Sequence, residues 1–165
     1  MRTIGLDVGD KKTGVAISDP EGIFATPLTV LTSEAEDSLI DQILKIVKEH
    51  QADCIVIGLP RRLDGEIGAQ ATKVTAFAHE LSLQAQQRNL NQLEIRLWDE
   101  RLSTWAARRL QTEAGGKGTR LRSRPKRKTR HHRLRDTSTT HSIAAALILQ
   151  GYLDSLIAGR ERRDE

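Results

Sequence analysis

Cys54-Ile-Val-Ile-Gly58 is a short run without a polar side chain, and it constrains the fold more than any other feature of the chain. Strands that face water on one side alternate apolar and polar residues. A wholly apolar run of strand length belongs to a central strand buried on both faces. Such a strand needs a neighbour on each side and helices above and below it. The helices are legible. Over residues 34–50, Leu39, Ile43 and Ile46 with Ile40, Leu44 and Val47 make one apolar stripe, with Ser33 as the predicted N-cap. A second helix is predicted over 70–88 and a third from Ser103 or Thr104 to Gly115-Gly116. The last is predicted over 140–158, with Ile143, Leu147, Tyr152, Leu153 and Leu156 as its apolar face, filled in by Ala144 to Ala146.

The remaining strands follow from alternation and turns. Thr3 to Val8 and residues 13–18 flank the tight turn Gly9-Asp10-Lys11-Lys12, an antiparallel hairpin. A third strand is predicted over Gly22 to Leu31, where Pro27 indicates an edge position. Glu94 to Trp98 is the fifth. Three strands followed by alternating helix and strand give an α/β protein, a mixed five-stranded sheet with helices on both faces. The 165 residues suit a single domain spanning 1–165.

No apolar run reaches the roughly 18 residues of a membrane span, and the N-terminus enters a strand pattern without a signal peptide. The lone cysteine, Cys54, cannot form an internal disulfide and reads as a small core residue. A reducing, cytoplasmic location is the expectation.

The net charge of +4 conceals an asymmetry. Ten of the 26 Lys and Arg lie between Lys117 and Arg135, with His131 and His132 and no acid, leaving the rest of the chain at −6. A basic, flexible loop is therefore expected at about 116–136, and so uneven a field attracts polyanions. Neutralising phosphates needs charge more than fixed geometry, so such a loop can bind a nucleic-acid backbone.

Two acidic features carry the candidate chemistry. Asp7 interrupts the apolar strand Ile4-Gly5-Leu6-Asp7-Val8-Gly9, where a lone carboxylate is costly unless a cation or hydrogen-bond donors meet it. Gly5 and Gly9 beside it are expected to leave room for a phosphate or hydrated metal. The competing reading, an Asp capping the hairpin turn, suits Asp10 better. Asp99-Glu100 leaves the C-terminal end of a strand into a helix start, a common active-site edge in such sheets. Helix capping accounts for one of these acids but not for the whole run. Arg61 and Arg62, in Gly58-Leu-Pro-Arg-Arg-Leu-Asp-Gly65, could hold a phosphate, although turn chemistry also explains Pro60 and Asp64-Gly65.

These segments resemble, in order and spacing, the motifs of the YqgF family: Asp7 to Asp19, Gly58 to Gly65, Asp99 to Thr104 and Ala144 to Leu153. The resemblance covers nearly the whole chain. It implies a ribonuclease-H-like fold related to Holliday-junction resolvases, and a bacterial nuclease that processes the 5′ end of precursor 16S ribosomal RNA. Members are described both as RNA-processing enzymes and as junction resolvases. It also implies Mg²⁺ or Mn²⁺ held between carboxylates distant in sequence, to activate a water and neutralise the leaving oxygen. Asp7 would be the central ligand and Glu100 the second, with Asp99 the fallback. The family carries an Asp at the start of the last helix, and here that position is His141. Imidazole suits Mn²⁺ and other transition metals better than Mg²⁺.

Nucleic acid, a structured RNA or a branched DNA, is the expected partner. Lys11, Lys12, Arg61, Arg62, Arg101, Lys117, Arg120, Arg122, Arg124, Lys126, Arg127, Lys128 and Arg130 are its candidate contacts. No membrane is expected, and the assembly is read as a monomer or weak homodimer. The alternatives to an rRNA nuclease are a Holliday-junction resolvase acting in DNA recombination or repair, and a nucleic-acid-binding protein whose His141 impairs catalysis. Sugar-kinase-like ATPases also begin Asp-x-Gly on a hairpin, but they need a second nucleotide-binding half for which 165 residues leave no room.

Overall fold

The computed structural model describes residues 2–33, 38–60, 68–99 and 137–161, with side chains of the last helix described over 140–159. The elements run β1 (Thr3–Val8), β2 (Lys12–Ser18), β3 (Ala25–Thr32), α1 (Leu39–His50), β4 (Cys54–Leu59), α2 (Ala69–Gln87), β5 (Glu94–Asp99) and α3 (Thr137–Glu161). The strands form one five-stranded sheet in the order β3-β2-β1-β4-β5. β2 is antiparallel to β1 and β3, and β4 is parallel to β1 and β5. The apolar run thus lies between two parallel neighbours, and Cys54, Ile55, Val56 and Ile57 are each 0% exposed. Pro27 sits on the edge strand β3, where the register slips opposite Val15 and Ala16. A bulged edge tolerates a residue without an N–H to donate.

Side-chain alternation divides the core. Ile4, Leu6, Val15, Ile55 and Ile57 face α1 and α2, meeting Ile40, Ile43, Leu44, Val47, Val74 and Leu81. Ala16, Cys54 and Val56 face the other way, beneath Ala145, Ile148, Leu149, Tyr152 and Leu153 of α3. Burial of each large aliphatic side chain contributes about 1.5–3 kcal/mol, so both faces are held by ordinary hydrophobic packing. The expected helices on both faces are present.

Two expectations are corrected. α1 is capped by Ser38, not by Ser33. Ser38 Oγ accepts from the Asp41 amide at 3.1 Å and donates to its carboxylate at 2.6 Å, a reciprocal cap within one turn. Ser33 instead donates from its amide to the Lys11 carbonyl, tying the end of β3 to the β1–β2 turn. The second correction concerns the buried face of α3. Ile143, Leu147 and Leu156, predicted to be inward, are 47%, 49% and 38% exposed. The inward residues are Ser142, Ala145, Ile148, Leu149, Tyr152 and Leu153.

The reason lies in the sheet. A Cβ on Gly14 would stand 1.9 Å from the His141 carbonyl oxygen, and one on Gly5 would stand 2.8 Å from that of Ala145. The two glycines let the helix backbone settle directly on β1 and β2, with Ala145 at the contact. A helix that is apolar nearly all round offers no dominant stripe from which to choose this face. By length and composition Thr140–Gly159 could cross a bilayer, contrary to the reading of the sequence. Its apolar residues nevertheless cover the sheet, and Gln150 fastens it to β3, accepting from the Ala25 amide at 2.9 Å.

The helix predicted from Ser103 or Thr104 and the basic loop at about 116–136 lie outside the described residues.

Candidate active site

Asp7 is the fifth of the six residues of β1 and pairs with Gly14 of β2. Alternation turns it to the α3 face, in line with Gly5. The close approach of α3 that Gly14 permits brings His141 over this point. His141 Nδ1 lies 3.1 Å from Asp7 Oδ2, and the two side chains are 35% and 24% exposed respectively. The carboxylate that looked isolated in an apolar strand therefore has a partner from the opposite end of the chain. The pair is sheltered enough to be ordered and open enough to be reached by a ligand.

This arrangement revises the part read for the glycines. The space above Gly5 is filled by α3, where Leu149 Cβ would lie 2.7 Å from an added methyl group, so Gly5 admits the helix rather than a ligand. At Gly9 an added Cβ would come 2.7 Å from the Lys12 carbonyl oxygen, a limit set by the turn. The Gly9 amide donates to that same oxygen at 3.0 Å. His141 Cε1 lies 3.6 Å from the same point, so a side chain here would also touch the imidazole. Asp10, the predicted turn cap, instead accepts from Lys73 Nζ of α2 at 2.9 Å. Asp19, the last residue of the first motif, closes the β2–β3 turn by accepting from the Ile23 and Phe24 amides at 2.7 and 2.9 Å. Those amide bonds, Phe24 first, hold its carboxyl below the ordinary range.

Asp99 ends β5 opposite Leu59. Its neighbour Trp98 packs on the α3 side, edge-on to Tyr152 with ring centroids 5.5 Å apart. Ile95 belongs to the α1–α2 side, and alternation puts Asp99 in the same file, away from the face that carries Asp7. The following residue, Glu100, lies outside the described residues, as do Arg61, Arg62, Arg101 and the basic residues Lys117 to Arg130. Lys11 is exposed and Lys12 half-buried, both on the turn beside Asp7.

The donor pair fits a divalent cation. Two ligands each about 2.1 Å from a metal and at right angles to one another stand about 3.0 Å apart, close to the separation found here. The pair offers one anionic oxygen and one imidazole nitrogen, a set that transition metals accept more readily than Mg²⁺ does. Among the described residues no third His, Cys, Asp or Glu joins these two.

Sequence reasoning missed Gln70 and Lys73. Gln70 Nε2 donates to the Val8 carbonyl at 3.2 Å, next to Asp7, and Lys73 lies one turn further along α2. Their spacing of three residues puts them on one helix face, but no sequence pattern says what that face meets. Cys54 conforms to its core reading: burial pushes its thiol up to about 11, so it is protonated and inert at neutral pH.

A carboxylate on the central antiparallel-to-parallel junction of a 3-2-1-4-5 sheet, met by the first turns of the last helix, is the arrangement of a ribonuclease-H-like fold. Residues 1–155 match the family model described as RuvX: Holliday junction resolvase, and the chain belongs to that family of phosphodiester-cleaving hydrolases. It is 40% identical over 156 residues to a Clostridium botulinum protein named "Putative pre-16S rRNA nuclease", covering 94% of this chain and 98% of that one. A Desulforamulus reducens protein of the same name is 38% identical over 155 residues, again covering 94% and 98%. Among solved structures, Thermus thermophilus RuvC in complex with a Holliday junction substrate superimposes with a TM-score of 0.52 at 12% identity, covering 94% and 96% of the two chains. The yeast mitochondrial Holliday junction resolvase Ydc2 superimposes with a TM-score of 0.53 at 14% identity, covering 92% of this chain and 77% of that one. These two likenesses concern the fold.

Proposed function

We propose that this chain is a metal-dependent endonuclease whose centre is built on Asp7, Glu100 and His141, and that it trims the 5′ end of precursor 16S rRNA. The observation that carries the reading is the 3.1 Å approach of His141 Nδ1 to Asp7 Oδ2, which joins the first strand to the last helix at one point. The curated relatives named for pre-16S rRNA, matched over almost their full length, support the substrate.

Asp7 supplies a fixed negative charge from a rigid central strand. His141 supplies an imidazole nitrogen whose direction is set by the seating of α3 on Gly14. Mg²⁺ or Mn²⁺ bound there would supply a Lewis acid for phosphodiester hydrolysis, two ions being the usual number in nucleases of this fold. Glu100 follows β5 and would close the donor set. The Lys11–Lys12 turn and the basic segment Lys117 to Arg130 would grip the phosphate backbone. Action in the cytoplasm is part of the proposal.

A Holliday-junction resolvase is the second reading, favoured by the description of the family model and by the named activity of the structural relatives. One experiment separates the two. Purified protein is incubated with precursor 16S rRNA and with a four-way DNA junction, under Mg²⁺ and under Mn²⁺. Cleavage of the RNA near its mature 5′ end, lost in Asp7→Asn, supports the first reading; symmetric cutting of the junction alone supports the second. Binding by wild type without any cleavage would instead indicate a nucleic-acid-binding protein.

A further inference from the structure

Lys73 projects from α2, one helical turn beyond Gln70, and its ammonium lies 2.9 Å from Asp10 Oδ1. Both side chains are open to water, at 64% and 70% exposure. An ion pair so exposed contributes little to stability, since solvent screens the attraction and two side chains lose freedom in forming it. Packing alone therefore gives no reason for this pair.

Its position does. Asp10 is three residues from Asp7, in the turn closed by the Gly9–Lys12 hydrogen bond. Gln70 anchors the start of α2 to the carbonyl of Val8, the residue that follows Asp7. Lys73 therefore stands at the same end of the sheet as Asp7, on the α2 side of the turn, with Lys11 and Lys12 in the turn itself. Among the described residues of the turn and the start of α2, Lys11, Lys12 and Lys73 stand beside the carboxylate of Asp10, outside the Asp7–His141 pair. A strand of nucleic acid that presents its backbone to Asp7 and His141 and continues toward α2 meets that positive surface.

We propose that Lys73 is a substrate-positioning residue that contacts a backbone phosphate flanking the scissile one, and that Asp10 holds its ammonium until the phosphate displaces the carboxylate. The assignment rests on the nuclease reading above. Phosphate and Asp10 compete for one cation, so the two partners of the ion pair affect binding in opposite directions. A pair with only a structural role would give two variants with the same phenotype.

The test uses the full chain in EDTA, which allows binding without cleavage, with a fluorescent stem-loop RNA and a four-way DNA junction as probes. The dissociation constant is followed across a salt titration. Lys73→Met is expected to weaken binding at every salt concentration and to lower the slope of log affinity against log salt by about 0.7–0.9, the loss of one phosphate contact. Lys73→Arg keeps the slope. Asp10→Asn is expected to tighten binding, because it frees the ammonium. With metal restored, Lys73→Met raises KM and leaves kcat near wild type, and thermal melts confirm that each variant is folded. If wild type binds a probe and Lys73→Met binds with the same affinity and slope, the role of Lys73 is wrong and the nuclease reading stands. Equal weakening by Asp10→Asn and Lys73→Met likewise overturns it in favour of a structural pair. If wild type neither binds nor cuts either probe, both readings fall together.

Discussion

His141 and Asp7, 134 residues apart in the chain, meet at 3.1 Å because Gly14 lets the backbone of α3 rest on β2 beside the strand that carries Asp7. Removing the imidazole should disable the site without unfolding the protein, since both side chains are partly exposed. His141→Ala is expected to lower cleavage by at least about 100-fold, about 2.7 kcal/mol of barrier, with an unchanged melting temperature. His141→Asp restores a hard oxygen donor and should move the metal preference from Mn²⁺ toward Mg²⁺. Rates measured with each metal check this, and an unaltered preference would remove His141 from the ligand set.

Gly14 should be intolerant of even one methyl group. Gly14→Ala places a Cβ 1.9 Å from the His141 carbonyl, so the helix must move. A loss of about 1–3 kcal/mol is expected from the overpacking, together with loss of activity as His141 leaves Asp7. Gly159 is the control, in the same helix with nothing within 4 Å of its added Cβ. Gly159→Ala should gain about 0.5–1 kcal/mol from helix propensity and leave activity intact. Urea unfolding of both variants decides the matter.

Acid stability should depend on Asp41. The Ser38 hydroxyl, and after it the Arg88 guanidinium that pairs with Asp41, hold its carboxyl below the usual value. A depressed folded-state pKa means that the stabilisation is present above the unfolded value, near 3.9, and is lost as pH falls through the lower folded value. Wild type should therefore melt higher than Asp41→Asn at pH 6, and the gap should close below about pH 4. A gap that persists in strong acid would show that the cap works without the charge.

Cys54 provides a probe of global unfolding. It is 0% exposed, and burial raises its thiol to about 11, so an alkylating reagent at pH 8 should label it only when the sheet opens. Labelling should track denaturant concentration as circular dichroism does. Rapid labelling of the native protein would mean that β4 is not sealed beneath α3.

The sequence by itself determined the class of fold and the first half of the site. The apolar run at Cys54 to Gly58 required a doubly covered central strand, and Pro27 required an edge. Asp7 declared itself because a carboxylate in an apolar strand must have a reason. These features are local, and local patterns report burial and backbone geometry directly. What only the tertiary structure decided was contact between distant segments. The inward face of α3 was not legible, because its outward Ile143 and Leu147 are as apolar as its inward Ile148 and Leu149, and the choice fell to the bare backbone at Gly5 and Gly14. The same holds for Gln70 and Lys73, whose partners Val8 and Asp10 are more than sixty residues away. Side-chain type sets what a residue can bind, but the packing of helix on sheet sets what it reaches.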